Sequence, residues 1–195
     1  MDQRWKNTEH TSQKFTCAYC GRDVAASTGY YAMETRYSGG GVESTIQICP
    51  NCHNPTYFQS HTRQIPRPPF GAVVPHINDD LVSHIYAEAR ECTAHHAYTA
   101  AVMLCRKLLM HIAVQHGAPE NESFQAYVTY LDTKGYIPPN GKKWVDSIRQ
   151  KGNTANHEIQ IMSETDARNS VRFVEMLLRF IYELPNLYEE EDKKA

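Results

Sequence analysis

Two cysteine pairs constrain this chain more than any other feature. Cys17-Ala18-Tyr19-Cys20 and Cys49-Pro50-Asn51-Cys52 form a C-x2-C, 28 residues, C-x2-C pattern. Two-residue spacing lets both thiolates of a pair reach one ion from a tight turn. Gly21 offers the positive φ that such a turn uses, and Pro50 stiffens the second pair. Four thiolates make a closed tetrahedral Zn2+ site with no position left for water. A structural Zn2+ held by Cys17, Cys20, Cys49 and Cys52 is therefore expected. Between the pairs, Tyr30–Tyr37 and Val42–Ile48 read as strands joined by Ser38-Gly39-Gly40-Gly41, so residues 15–53 read as a zinc ribbon. The competing reading, a pair of redox dithiols, lacks the βαβ pattern that accompanies such motifs. His53 adjoins a ligand set that is already complete.

The flanks read differently. Residues 1–14 are polar and without periodicity, and are expected to be a flexible lead-in. Residues 54–77 are proline-rich, which excludes regular helix and favours an extended, semi-rigid linker. From Asn78 the apolar residues fall at helical spacing. Leu81, Val82, Ile85, Tyr86, Ala89 and Cys92 make one stripe, with Asn78 as its expected N-cap. A second helix runs from about Ala97 to Gln115 and is apolar on several sides, which suits the centre of a bundle or a subunit interface. Phe124 to Leu131 marks a third helix, Trp144, Val145 and Ile148 start a fourth, and Ser163 with Asp166 caps a last one that stops at Pro185. The fold class expected is thus mainly α: a bundle of about five helices over 78–185, a small N-terminal β zinc ribbon, and an acidic tail over 186–195. Cys92 and Cys105 lie on apolar helix faces, where free cysteine is usually a small core residue.

Composition limits the function classes. Hydrophobic residues make up 41%, enough for a packed core, and the net charge of −2 lacks the global basic signature of a duplex-DNA binder. No apolar run approaches the roughly 20 residues that cross a bilayer, and Met1 to Lys6 has no apolar signal core. A cytoplasmic protein with no membrane partner is expected, and its cysteines then serve as metal ligands or core thiols rather than disulfides.

The densest group of polar side chains is Ile148 to His157. Arg149, Lys151, Asn153 and His157 fall within ten residues around Gly152, with Lys142 and Lys143 just upstream. Two readings stay open here: a solvated helix end with a Gly-Asn stop, or a phosphate-handling site. In the second, His157 moves protons near neutral pH, Arg149 grips a phosphate bidentately, Lys151 adds a point charge, and Asn153 orients the imidazole or binds a phosphate oxygen. Lys142, Lys143 and Lys151 form a small basic patch for nucleic acid.

Residues 78–185 also resemble a bacterial domain of unknown function found alone and attached to type I restriction-enzyme subunits. The resemblance is carried by Glu88-Ala89-Arg90, Ala97-Tyr98-Thr99-Ala100-Ala101, Arg106-Lys107-Leu108-Leu109, Ile148-Arg149, Gly152-Asn153, Ala155 and His157. Phe173-Val174-Glu175 and Ile181-Tyr182-Glu183-Leu184-Pro185 complete it. That domain looks like a relative of the HEPN (higher eukaryotes and prokaryotes nucleotide-binding) proteins. The relationship implies a dimeric helical bundle and, in many members, metal-independent ribonuclease activity in defence and toxin systems. Their site pairs an Arg with a His, the two separated by four to six intervening residues. Here seven residues separate Arg149 from His157, one more than that pattern. Arg4–His10, Arg90–His95 and Arg106–His111 meet it by bare spacing. The resemblance implies RNA or another nucleic acid, a second copy of the chain and a defence-system protein as partners. A non-catalytic dimerisation or interaction module is the alternative, with the ribbon as a partner-binding or structural element.

Overall fold

The computed structural model describes residues 5–8, 13–33, 42–59, 62–138, 141 and 161–187. The chain divides into two compact units, residues 1–68 and 69–195. Among the described residues are seven strands and four α-helices: β1 (Trp5–Thr8), β2 (Lys14–Thr16), β3 (Asp23–Ala25), β4 (Gly29–Met33), β5 (Val42–Ile48), β6 (Pro55–Gln59), β7 (Arg63–Ile65), α1 (Asp80–Ala94), α2 (Tyr98–Gln115), α3 (Phe124–Thr133) and α4 (Glu164–Leu178). A π-helical turn, Arg179–Glu183, continues α4.

This corrects the expected fold class. The chain is not a mainly α bundle of about five helices with a small ribbon attached; four helices stand beside seven strands in two antiparallel sheets. The physical reason lies in residues read as lead-in and linker. Trp5–Thr8 pairs with β4, and Pro55–Gln59 and Arg63–Ile65 extend the sheet beyond β5, giving the order β1-β4-β5-β6-β7. Pro55 sits at the first position of its strand, where a missing N–H is tolerated. The β4–β5 hairpin forms with Tyr30 opposite Ile46. Its turn at 38–41 and the fourth expected helix lie outside the described residues.

The five-stranded sheet has two unlike faces, because side chains alternate along each strand. The inner face buries Thr45, Gln47, Thr56 and Phe58. The small β2–β3 hairpin contributes Phe15, whose ring meets that of Phe58 edge to face at 5.3 Å. Gln64 on β7 donates to the Thr16 carbonyl at 2.8 Å. This unit has a small core, Phe15, Cys17, Ala26, Cys49 and Phe58, and two of its five members are cysteines. The outer face carries Trp5, Tyr30 and Ile65, exposed by 37%, 45% and 43%.

In the helical unit α2 is central, packing against α1, α3 and α4. Its buried apolar positions, Ala101, Val102, Cys105, Leu108, Leu109, Ile112 and Ala113, follow the helical period. Much of the broad apolar circumference legible in the sequence is thus used within the unit, while Met103 stays 52% exposed. The α1 N-cap is Asp79, one residue beyond the expected Asn78; its carboxylate accepts from the Leu81 and Val82 N–H groups. Ser163 and Asp166 form the expected capping box at α4. Residues 70–74 are docked rather than loose. Arg90 donates to the carbonyls of Phe70 and Gly71 at 3.0 and 2.9 Å, the Tyr86 hydroxyl donates to that of Ala72, and the Ala72 N–H donates to Glu175.

Candidate metal centre

The four paired cysteines converge. Each pair sits at a β-hairpin tip, Cys17 and Cys20 between β2 and β3, Cys49 and Cys52 between β5 and β6. The two tips repeat one backbone pattern. The Cys17 N–H donates to the Arg22 carbonyl at 2.9 Å, and the Gly21 N–H to the Cys17 carbonyl at 2.9 Å. In the second tip the Cys49 N–H donates to the Asn54 carbonyl at 3.1 Å, and the His53 N–H to the Cys49 carbonyl at 2.9 Å. Closing each turn requires a left-handed residue after the second cysteine, and Gly21 and His53 take φ of 68° and 61°. Arg22 ties the tips together by donating to the Asn51 side-chain oxygen at 2.7 Å.

All four sulfurs lie within 4.8 Å of one another. The Cys17–Cys52 and Cys20–Cys49 contacts, 3.6 and 3.8 Å, run between the two tips. A tetrahedron with Zn–S bonds of about 2.3 Å has edges of about 3.8 Å, so the cluster has the size of a four-thiolate zinc site. The cysteines are free thiols, far outside the roughly 2.05 Å of a disulfide bond.

The electrostatics divide the set. Hydrogen bonding from the Asn54 backbone holds the Cys52 thiol down at about 6, and the Arg22 backbone lowers that of Cys20. Burial pushes Cys17 up to about 12; it and Cys49 are fully buried. An inner thiol that resists ionisation gains its counter-charge from a bound dication. The residues present fit zinc: four sulfur donors of the right spacing, supporting backbone N–H groups on three of them, Cys17, Cys20 and Cys52, and no fifth position for a reacting water. Such a centre holds structure and supplies no reaction. His53 is exposed and outside the set.

The other cysteines are core residues, as expected. Cys105 is buried in the helical core, its thiol pushed up to about 12 by burial, and Cys92 is half-buried with its thiol raised for the same reason.

A family comparison adds one finding. The model described as "Domain of unknown function (DUF4145)" matches residues 87–194, more than half of the chain. The chain belongs to the DUF4145 family. No curated protein and no solved structure matches it. The metal cluster lies before the DUF4145 region, which holds most of α1 and all of α2 to α4. The candidate catalytic residues Arg149, Asn153 and His157 and the basic Lys142, Lys143 and Lys151 fall in the DUF4145 region but outside the described residues.

Two other Arg–His spacings lie on described helices, and neither makes a site. Arg90 spends its guanidinium on the Phe70 and Gly71 carbonyls, while His95 is exposed beside Glu91. Arg106 is buried 4.4 Å over the Phe124 ring, whereas His111 points to Asp79 at 3.4 Å on another side of α2. Five residues on a helix turn through about 140°, which separates them. Among the described residues no helix is long and apolar enough to cross a membrane.

Sequence reasoning missed the outer face of the sheet. Its signal was the alternation of Tyr30, Ala32 and of Ser44, Ile46, Ile48. That pattern reads as a face only once β1 and β6 are known to flank it.

Proposed function

We propose that this chain is a zinc-stabilised nucleic-acid-binding protein of a bacterial defence or restriction system. The observation that carries the reading is a segregation of charge. Residues 1–68 hold seven Lys and Arg against five Asp and Glu, and no acidic residue occurs from Ser44 to Asn78. The remaining residues hold thirteen Lys and Arg against seventeen Asp and Glu. Phosphate is attracted to the acid-free stretch, which carries Arg63 and Arg67, and repelled by much of the rest. The test is binding of labelled RNA and DNA oligonucleotides by the full chain across a salt series. Phosphate-driven association weakens linearly in log–log form as salt rises; absence of binding at low salt overturns the reading.

The ribonuclease form of this reading assigns proton transfer to His157, phosphate contact to Arg149 with Lys142, Lys143 and Lys151, and imidazole orientation to Asn153. Cleavage would then persist with EDTA and leave a 2′,3′-cyclic phosphate. His157→Ala would cost about 10²- to 10⁴-fold, the usual worth of a positioned acid–base group. Wild-type protein that leaves both single-stranded and structured RNA intact ends that form.

A second reading, an interaction module that associates with another copy or with a defence-system protein, is favoured by Phe180, Leu184 and Leu187, exposed by 43%, 52% and 44% at the end of α4 and beyond. Light scattering at micromolar concentration tests self-association. A dimer that Leu184→Asp dissociates supports it, and a monomeric wild type rejects a homodimer.

A further inference from the structure

We infer that the outer face of the five-stranded sheet is a stacking platform for the unpaired bases of a single-stranded nucleic acid. The inference rests on the nucleic-acid reading above and names the surface and the substrate class.

The strand register lays two rows across that face. One runs Tyr30, Ile46, Tyr57, Ile65, and the next runs Trp5, Ala32, Ser44, Gln59, Arg63. Directly paired residues share a face, so Trp5, Tyr30 and Tyr57 belong to one surface. Ala32 and Ser44 are small and buried at 1% and 4% exposure. They leave room for the Trp5 indole, which leans across to Tyr57 at 6.3 Å, edge to face. The Tyr57 hydroxyl bonds that of Ser44 at 2.9 Å, so its ring is fixed before any ligand arrives. Pre-set rings lose little freedom when a base stacks on them.

Charge decides among occupants. Neither row contains an acidic residue, and Arg63 is the one charged side chain in them. Four inter-strand steps of about 4.8 Å place Arg63 roughly 19 Å from Trp5 along the row, a reach suited to a backbone phosphate while bases lie on the rings between. Aromatic rings beside a cation, here with no acidic residue in either row, are how sequence-tolerant single-strand binders work, since every base offers a π-face. A duplex keeps its bases stacked inside and cannot use the rings.

The test is fluorescence anisotropy with the full chain and end-labelled oligouridine, the matching single-stranded DNA, and a blunt RNA duplex, with zinc content confirming the fold of each variant. Wild-type protein should favour both single strands over the duplex. Trp5→Leu and Tyr30→Ala should each weaken single-strand binding roughly 5- to 150-fold, the range for losing one stacked base. Trp5→Phe should retain most of it. Arg63→Ala should reduce the salt slope by about 0.7, the value of one phosphate contact on a single strand. If wild type binds and both aromatic variants bind equally well with zinc intact, the platform is overturned while the nucleic-acid reading stands. If wild type binds none of the three probes, that reading falls and the platform with it. A wild-type dimer that Trp5→Leu dissociates, with no oligonucleotide binding, assigns the face to a second copy and also overturns the proposal.

Discussion

Gly21 and His53 occupy equivalent places in the two halves of the metal centre, each the left-handed residue after the second cysteine of its pair, at φ of 68° and 61°. One position has the residue suited to that conformation and the other does not. For an L-residue the left-handed well costs roughly 1–2 kcal/mol. Gly21→Ala should therefore destabilise the ribbon by about that amount, although a Cβ there meets nothing within 4 Å. His53→Gly should change stability little, because relief of strain is offset by about 0.4–1 kcal/mol of added freedom in the unfolded chain. Zinc-release midpoints under chelator titration measure both. Loss of zinc from His53→Gly would make His53 a ligand and refute the four-cysteine assignment.

Purified protein should contain about one zinc per chain, the content of a single four-thiolate site. Cys17→Ser and Cys49→Ser remove buried members of the ribbon core as well as candidate ligands, so each should abolish zinc binding and unfold the strands β2 to β7. Cys105→Ala should leave zinc content unchanged. Chelation should collapse the ribbon, whose small core is built on the ligands, while the helical unit, with its own core around Leu108, Ile112, Phe173 and Leu177, keeps its far-UV helical signal. Protons compete with zinc for thiolates, so the metal should leave as pH falls.

The four clustered cysteines were readable because two C-x2-C pairs are a local spacing that survives in the sequence whatever lies between them. Helices α1, α2, α3 and α4 were readable because each keeps a 3.6-residue apolar stripe through ten or more residues. Strands β2, β3 and β7 have three residues each, too few for a period of two to register. Lys14-Phe15-Thr16 owes its place to Phe15 meeting Phe58, more than 40 residues away, which no local window contains. The prolines at 66, 68 and 69 do exclude helix, but Pro55 did not exclude a strand that begins on it. Residues 70–74 read as linker because they have no period of their own; their order comes from Arg90, Tyr86 and Glu175.

Asp79 joins a cap to a tertiary contact. One carboxylate oxygen accepts from the Leu81 and Val82 N–H groups, and the other accepts from Gln115 and faces His111 at 3.4 Å. Hydrogen bonding by the Val82 backbone, then by Gln115, holds its carboxyl below the ordinary value of 3.8. The folded-state value is depressed, so the stability it contributes is present above the unfolded value and is lost as pH falls through the folded one. Asp79→Ala should cost about 0.5–2 kcal/mol, the range for a lost N-cap. Asp79→Asn should cost less at neutral pH and flatten the acid limb below about pH 4. Thermal melts of the helical unit from pH 7 to pH 3 provide the comparison; equal losses for Ala and Asn would remove the cap explanation.

Arg90 and Gly71 both bear on how residues 70–74 dock on the helices. The guanidinium satisfies two carbonyls from a residue only 9% exposed, and Gly71 has φ of 77° with Glu175 Oε2 where a Cβ would stand, at 2.8 Å. Arg90→Met keeps much of the length but strips both carbonyls of their donor, and should destabilise the helical unit by about 2–4 kcal/mol, the scale of losing charge-assisted bonds in a buried setting. Gly71→Ala should cost roughly 2 kcal/mol by backbone strain alone, with more if Glu175 must release the Ala72 N–H to make room. The two routes converge on one event, release of 70–74, so limited proteolysis should cut both variants there before the helices are lost. A variant that melts early with this segment still protected would place the damage elsewhere and break the link between Arg90 and the docked segment.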